Sequence, residues 1–129
     1  MSHNQVLWIL EWVFGLYFIT FGITHYVLPE GLPLIMEWMY DLDTNLHYLA
    51  CGAEILGGLG LILPAVTRRW PGLVPLAASG LIAVMIGALI WHASRDEIPQ
   101  MGNNVFLALV LAYVAYGRWK LAPLEARSG

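Results

Sequence analysis

The chain has 129 residues, one domain's worth, of which 59% are hydrophobic and 12% charged, with a net charge of −3. Soluble domains carry about 25% charged residues, so these charges are too few to cover a soluble surface, and the mean hydropathy of +0.66 points to a membrane protein. No basic run exists that could track a nucleic-acid backbone, which excludes nucleic acid as a partner.

Four segments reach the length of about 20 residues that a membrane span needs. They cover about 6–28, 46–63, 72–92 and 101–116, with Pro29 and Pro64 ending the first two and Pro71 preceding the third. Backbone groups in lipid must be satisfied within the segment, so each span is a helix. No alternating ten-residue pattern suggests a β-barrel. No Lys or Arg precedes the first span and Glu11 interrupts it, so the first span is expected to stay as a helix rather than be removed as a signal peptide. The fold class is therefore all-α: an integral membrane four-helix bundle in one domain, with antiparallel, left-handed packing.

The connection at 29–45 is long and mixes Leu34, Ile35, Trp38 and Met39 with Glu37 and Asp41. That pattern predicts a short interfacial helix, with tryptophan at headgroup depth. With four spans, Arg68, Arg69, Arg118, Lys120 and Arg127 fall on one side and only Arg95 on the other. The positive-inside rule places both termini in the cytoplasm and the acidic loops outside.

Along the first span, Glu11, Gly15, Phe18, Gly22 and His25 recur with a period of 3.5, as do His47, Cys51, Glu54, Gly58 and Leu61 along the second. Lipid offers polar side chains nothing, so both stripes should face inward. Small residues permit close helix contact, and Gly57, Gly60, Gly80, Ala83, Gly87, Ala108, Ala112 and Ala115 are expected at helix interfaces. At a rise of about 1.5 Å per residue, His25 stands roughly 21 Å from Glu11 along the axis. His25, His47, His92, Asn103 and Asn104 thus form an outer polar layer above Glu54, with Glu11 near the cytoplasm.

These residues are the candidate site. Glu54 and Glu11 are candidates for proton handling, or for hydrogen-bonding neutral acids between helices. His25, His47, His92, Asn103 and Asn104 are candidate ligand-binding groups. No H-x-x-x-H or E-x-x-H spacing pairs two ligands on one helix, so the histidines read as helix-end groups and no metal is assigned. A buried acid beneath histidines also suits a quinone head group and its protons. No haem or iron–sulfur signature is present, and the lone Cys51 reads as a small buried hydrophobe.

The stretches FGITHYVLP, AEILGGLGLILP, LIAVMIGALIWHA and NNVFLALVLAYVAYGRW resemble the DoxX and DoxX-like membrane proteins over nearly the whole chain. Gly22, Glu54, Gly57, Gly58, Gly60 and His92 are the family-like positions. The resemblance implies a four-helix protein of the bacterial cytoplasmic membrane, linked to quinone-dependent oxidoreductase assemblies, and it carries no catalytic motif. The expected function is an accessory subunit of a quinone-linked redox system, alongside the lipid bilayer and a redox-complex partner or a second copy of the chain. The alternatives are an enzyme acting on a small lipophilic substrate by proton transfer, and a structural or transport subunit. The broken helices and inverted repeats of secondary transporters are absent from the sequence.

Overall fold

Ser2 opens the first helix, α1 (His3–Val27): its hydroxyl accepts from the Gln5 N–H while the Gln5 side chain accepts from the Ser2 N–H. Leu28 closes it in the left-handed region, its N–H donating to the Thr24 carbonyl at 2.7 Å, and Pro29 prevents continuation. This computed structural model describes residues 1–127. Asp43 caps α2 (Thr44–Thr67) by accepting from the Asn45 N–H, and α3 (Leu73–Ala93) and α4 (Ile98–Tyr116) follow short connections. All four helices are long and apolar enough to cross a membrane.

The second helix does not stop at Pro64. It runs through that residue to Thr67, with Pro64 buried. Proline removes one backbone donor from the ladder, and the helix still completes a further turn before Arg68 ends it in the left-handed region.

The bundle is two helical hairpins joined at α2 and α3: α1 packs along α2, α3 along α4, and α2 against α3, while α1 and α4 barely touch. Glycine sets the α1–α2 distance. A Cβ on Gly58 would fall 2.5 Å from the Gly15 carbonyl oxygen, and one on Gly22 would fall 3.0 Å from the Cys51 carbonyl oxygen. The inward stripe of α1 is Leu7, Glu11, Gly15, Phe18, Gly22 and His25, and α2 buries His47, Glu54, Gly58 and Leu61.

Two expected interfaces differ. Gly80, Ala83 and Gly87 are exposed, and α3 packs instead through Val74, Ala78, Leu81, Met85 and His92. On α4 the buried line is Asn104, Leu107, Leu111 and Val114, and Ala112 is exposed. Ala83 and Gly87 instead line a cavity within the bundle, while Ala108 and Ala115 do pack against the core as expected.

The connection from α1 to α2 folds over the end of the bundle that carries the histidines. Its centre is a 3₁₀ helix, Leu34–Asp41, whose Met39 is fully buried. The Tyr40 hydroxyl donates to the Pro29 carbonyl at 2.7 Å and accepts from the Leu32 N–H at 3.1 Å. Gln100 of α4 donates to the Ile35 carbonyl at 3.0 Å, and Arg95 donates to Asp41 at 2.6 Å. At the opposite, basic end, α4 widens into a π-helical turn, Gly117–Leu121, which turns Arg118 into the bundle.

Candidate functional site

The inward stripes of α1 and α2 bring His25, His47 and Glu54 together. His47 Nε2 lies 2.7 Å from the Met39 carbonyl oxygen, and His47 Nδ1 lies 2.9 Å from His25 Nδ1. A carbonyl can only accept, so His47 carries its proton on Nε2 and, when neutral, its Nδ1 accepts from His25 Nδ1–H. The lone pair of neutral His25 is then on Nε2, which faces Glu54 Oε2 at 3.5 Å. A backbone carbonyl in the covering segment thereby fixes the direction of a three-residue chain. Glu54 Oε2 is buried and has no hydrogen-bond partner.

A cavity of about 490 Å³ opens beside Glu54 between all four helices, a volume in the range of small-molecule sites. Its walls are chiefly apolar and aromatic, with Phe18 and Phe21 from α1, Trp38 from the 3₁₀ helix, Trp91 from α3 and Leu107 from α4. Asn104 reaches it from α4, its amide nitrogen 3.7 Å from the Met85 sulfur and its oxygen buried and unpaired. The two buried polar side-chain atoms left unpaired among the described residues both belong to residues that line this cavity. Each costs about 1–3 kcal/mol if nothing donates to it. Asn103 lines the same cavity near Tyr17 but is itself exposed.

His92 stands in the same layer without meeting the other two histidines. Trp38 comes between, edge-on to His92 with ring centroids 4.7 Å apart and an interplanar angle of 88°, and 6.0 Å from the His25 ring. The tryptophan expected at headgroup depth is thus half-buried and turned inward over the cavity. His92 Nδ1 donates to Glu97 at 3.0 Å, and Arg95 donates to the same carboxylate oxygen at 2.9 Å. Partial burial pushes the Glu97 carboxyl up, but the hydrogen bonds from His92 and Arg95 outweigh it and hold the group below its ordinary value. The same contacts to Glu97 and to Asp41 raise Arg95, which stays charged. A second, polar pocket of about 430 Å³ lies above these residues, and Trp38 lines both spaces.

Glu11 belongs to a different arrangement at the basic end. Arg118 donates to both of its oxygens, and also to the Asn4 side chain at 2.8 Å and the Ala122 carbonyl at 2.9 Å. Both partners of the pair are buried, and the guanidinium lies 5.4 Å from the Trp8 ring centroid. This is a closed ion pair holding α1 to the end of α4. In the sequence Arg118 counts only among the basic residues of one side. A clue was available: Glu11 needs a cation at its own depth, and the end of the fourth span supplies one. Cys51 is half-buried. Among the described residues no cluster of His, Cys, Asp and Glu is arranged to hold a metal ion.

A family model described as the DoxX-like family matches residues 9–114, which includes the Glu54–His25–His47 chain, the cavity and its cover. No curated protein and no solved structure matches the chain.

Proposed function

This chain belongs to the DoxX-like family of membrane proteins, and we propose that it is a multi-pass subunit binding a quinone-type head group in support of a membrane redox system. The observation carrying this reading is a largely aromatic and aliphatic cavity of ligand size with the buried side chains of Glu54, His25 and Asn104 among its walls. A planar ring suits walls built from Trp38, Trp91, Phe18 and Phe21, and the polar side chains of Tyr17, Glu54, Asn103 and Asn104 in the same walls suit its oxygen atoms.

A bound quinone supplies reversible exchange of electrons and protons. The chain's own residues supply the shape and the proton handling. Glu54 takes up or releases a proton beside the ring, and His25 Nε2, its direction fixed through His47 and Met39, shares that proton. Trp38 and the 3₁₀ helix keep water from the acidic end out of the cavity. A redox centre to exchange electrons with such a ligand would belong to a partner protein. The distribution of basic residues supports a cytoplasmic position for both termini in a bacterial inner membrane, with the cavity nearer the outer face.

A second reading, proton-transfer catalysis on a small lipophilic substrate, is favoured by the same Glu54–His25–His47 chain. It differs in requiring turnover by the isolated protein. The test of the first is purification from native membranes in mild detergent, solvent extraction and mass spectrometry. A prenylated quinone is expected with the wild type and lost from Glu54→Gln and Asn104→Leu. If no quinone accompanies the wild type, and Glu54→Gln leaves turnover of any copurifying complex unchanged, the proposal fails.

A further inference from the structure

We propose that the cavity opens sideways to the lipid between α2 and α3, at the histidine end, and that its ligand enters there and leaves an apolar chain, isoprenoid or alkyl, lying in the opening. The ring of that ligand rests on the quinone-site reading above. The opening and the chain rest on how α2 packs against α3.

Small residues hold these two helices together toward the basic end. A Cβ on Gly60 would fall 2.6 Å from the Ala77 Cβ, and one on Gly57 would fall 2.5 Å from the Leu81 side chain. Toward the histidine end this contact gives way to the cavity, whose walls include Leu46, Leu49 and Ala53 of α2 and Ala83 and Gly87 of α3. Several of these are surface residues. Leu49 is 68% exposed, Ala83 and Gly87 are exposed, and a Cβ on Gly87 would meet nothing within 4 Å. At about 3.6 residues per turn, Ala83 and Gly87 lie on the side of α3 away from the buried Leu81 and Met85. A wall that includes them reaches the outer surface of the helix. On the α1–α4 side the half-buried rings of Tyr17 and Phe21, with centroids 4.7 Å apart, stand in the wall instead.

Hydrocarbon surrounds that opening, because α2 and α3 both have the length and composition of membrane spans. The aqueous end is covered. Trp38 stands between the cavity and the polar pocket, and its segment is tied down through Met39 to His47, Asp41 to Arg95 and Ile35 to Gln100. Entry from water requires this cover to lift; entry from the bilayer does not. Lipid is as apolar as the opening, so a chain lying there gains close contact rather than removal from water. The opening therefore acts by access, and a bulky side chain placed in it should bar the ligand without touching the polar walls.

The probe is decyl-p-benzoquinone carrying a diazirine halfway along its chain, photolysed with the purified full-length protein in lipid nanodiscs, with labelled residues mapped by mass spectrometry. Labels displaced by excess decyl-p-benzoquinone are expected within 46–53 of α2 and 83–87 of α3. Gly87→Trp should lower that displaceable labelling about tenfold, as expected when a filled space must be forced open. Ala83→Phe serves as the second variant, and Gly80→Trp, on the same helix but not in the cavity wall, should leave labelling unchanged. Displaceable labels on Tyr17, Phe21 or Leu34–Asp41 instead, or equal labelling in Gly87→Trp and Gly80→Trp, would overturn the opening while leaving the quinone-site reading in place. If the quinone displaces no label, a second probe, the same photoactive chain ending in a phenyl ring, separates the two ideas. Labels in the opening displaced by excess phenyldecane would keep the opening and overturn the quinone-site reading, and no displacement there would overturn both.

Discussion

The Nδ1 atoms of His25 and His47 lie 2.9 Å apart, and the proton between them belongs to His25 because His47 is committed through Nε2 to the Met39 carbonyl. His25 is therefore expected as the Nδ1–H tautomer and His47 as the Nε2–H tautomer. Nitrogen-15 NMR of histidine-labelled protein at neutral pH separates the two. Finding His25 protonated on Nε2 alone would contradict the assignment and the direction of the chain toward Glu54.

Removing one partner of the Glu11–Arg118 pair leaves the other as an uncompensated buried charge. Arg118→Met is expected to destabilise by about 3–5 kcal/mol, and the double variant with Glu11→Leu to recover much of that loss. Thermal unfolding in detergent reads both. A double variant no more stable than the single would mean that the Asn4 and Ala122 contacts, rather than the charge pairing, hold α4 to α1.

Gly58→Ala sets a methyl group 2.5 Å from the Gly15 carbonyl oxygen, a backbone atom that can yield only if α1 moves away from α2. The expected cost is about 1–3 kcal/mol. At Gly80 an added Cβ meets nothing within 4 Å, so Gly80→Ala should be neutral or slightly stabilising. Comparing the two unfolding midpoints checks the crossing point, and equal midpoints would contradict it.

Acid should loosen the segment that covers the cavity. Glu97 sits below its ordinary value of 4.5, so its contribution to the folded state is complete above that value and is lost as pH falls through the lowered one. Protonation weakens its bonds to His92 and Arg95, leaving Asp41 as the carboxylate that still holds Arg95. Protection of the amides in Leu34–Asp41 against hydrogen exchange, taken relative to the intrinsic rate at each pH, should fall in that acidic window, and Glu97→Gln should show the lower protection already at neutral pH. Unchanged exchange in Glu97→Gln would separate the cover from this network.

The polar stripes of α1 and α2 were legible because a carboxylate or an imidazole in an apolar helix has only one tolerable direction, and a 3.5 period keeps that direction constant. The packing of α3 was not legible for the converse reason. Its residues are apolar all round, and a membrane surrounds a protein with a medium as apolar as its own core. Hydrophobicity then carries no information about facing, and Gly80, Ala83 and Gly87 could be assigned to the interface or to the lipid with equal ease. The inward turn of Trp38 was hidden differently. It depends on Arg95 finding Asp41 across 54 positions of sequence and on the Met39 carbonyl meeting His47, neither of which has a local signature.

The buried pair at the basic end joins residues 107 positions apart. During synthesis Glu11 enters the membrane with the first helix, long before Arg118 has been made. The carboxyl group must therefore pass most of assembly neutral, hydrated at the bilayer edge or held by a helper protein. Its partner arrives only when the fourth helix is nearly complete, so the contact between the first and last helices is a closing step of biogenesis. A released chain that lacked Arg118 would keep the residues of both hairpins but leave this seam open, which gives membrane quality control a defined feature by which to tell a finished bundle from an unfinished one.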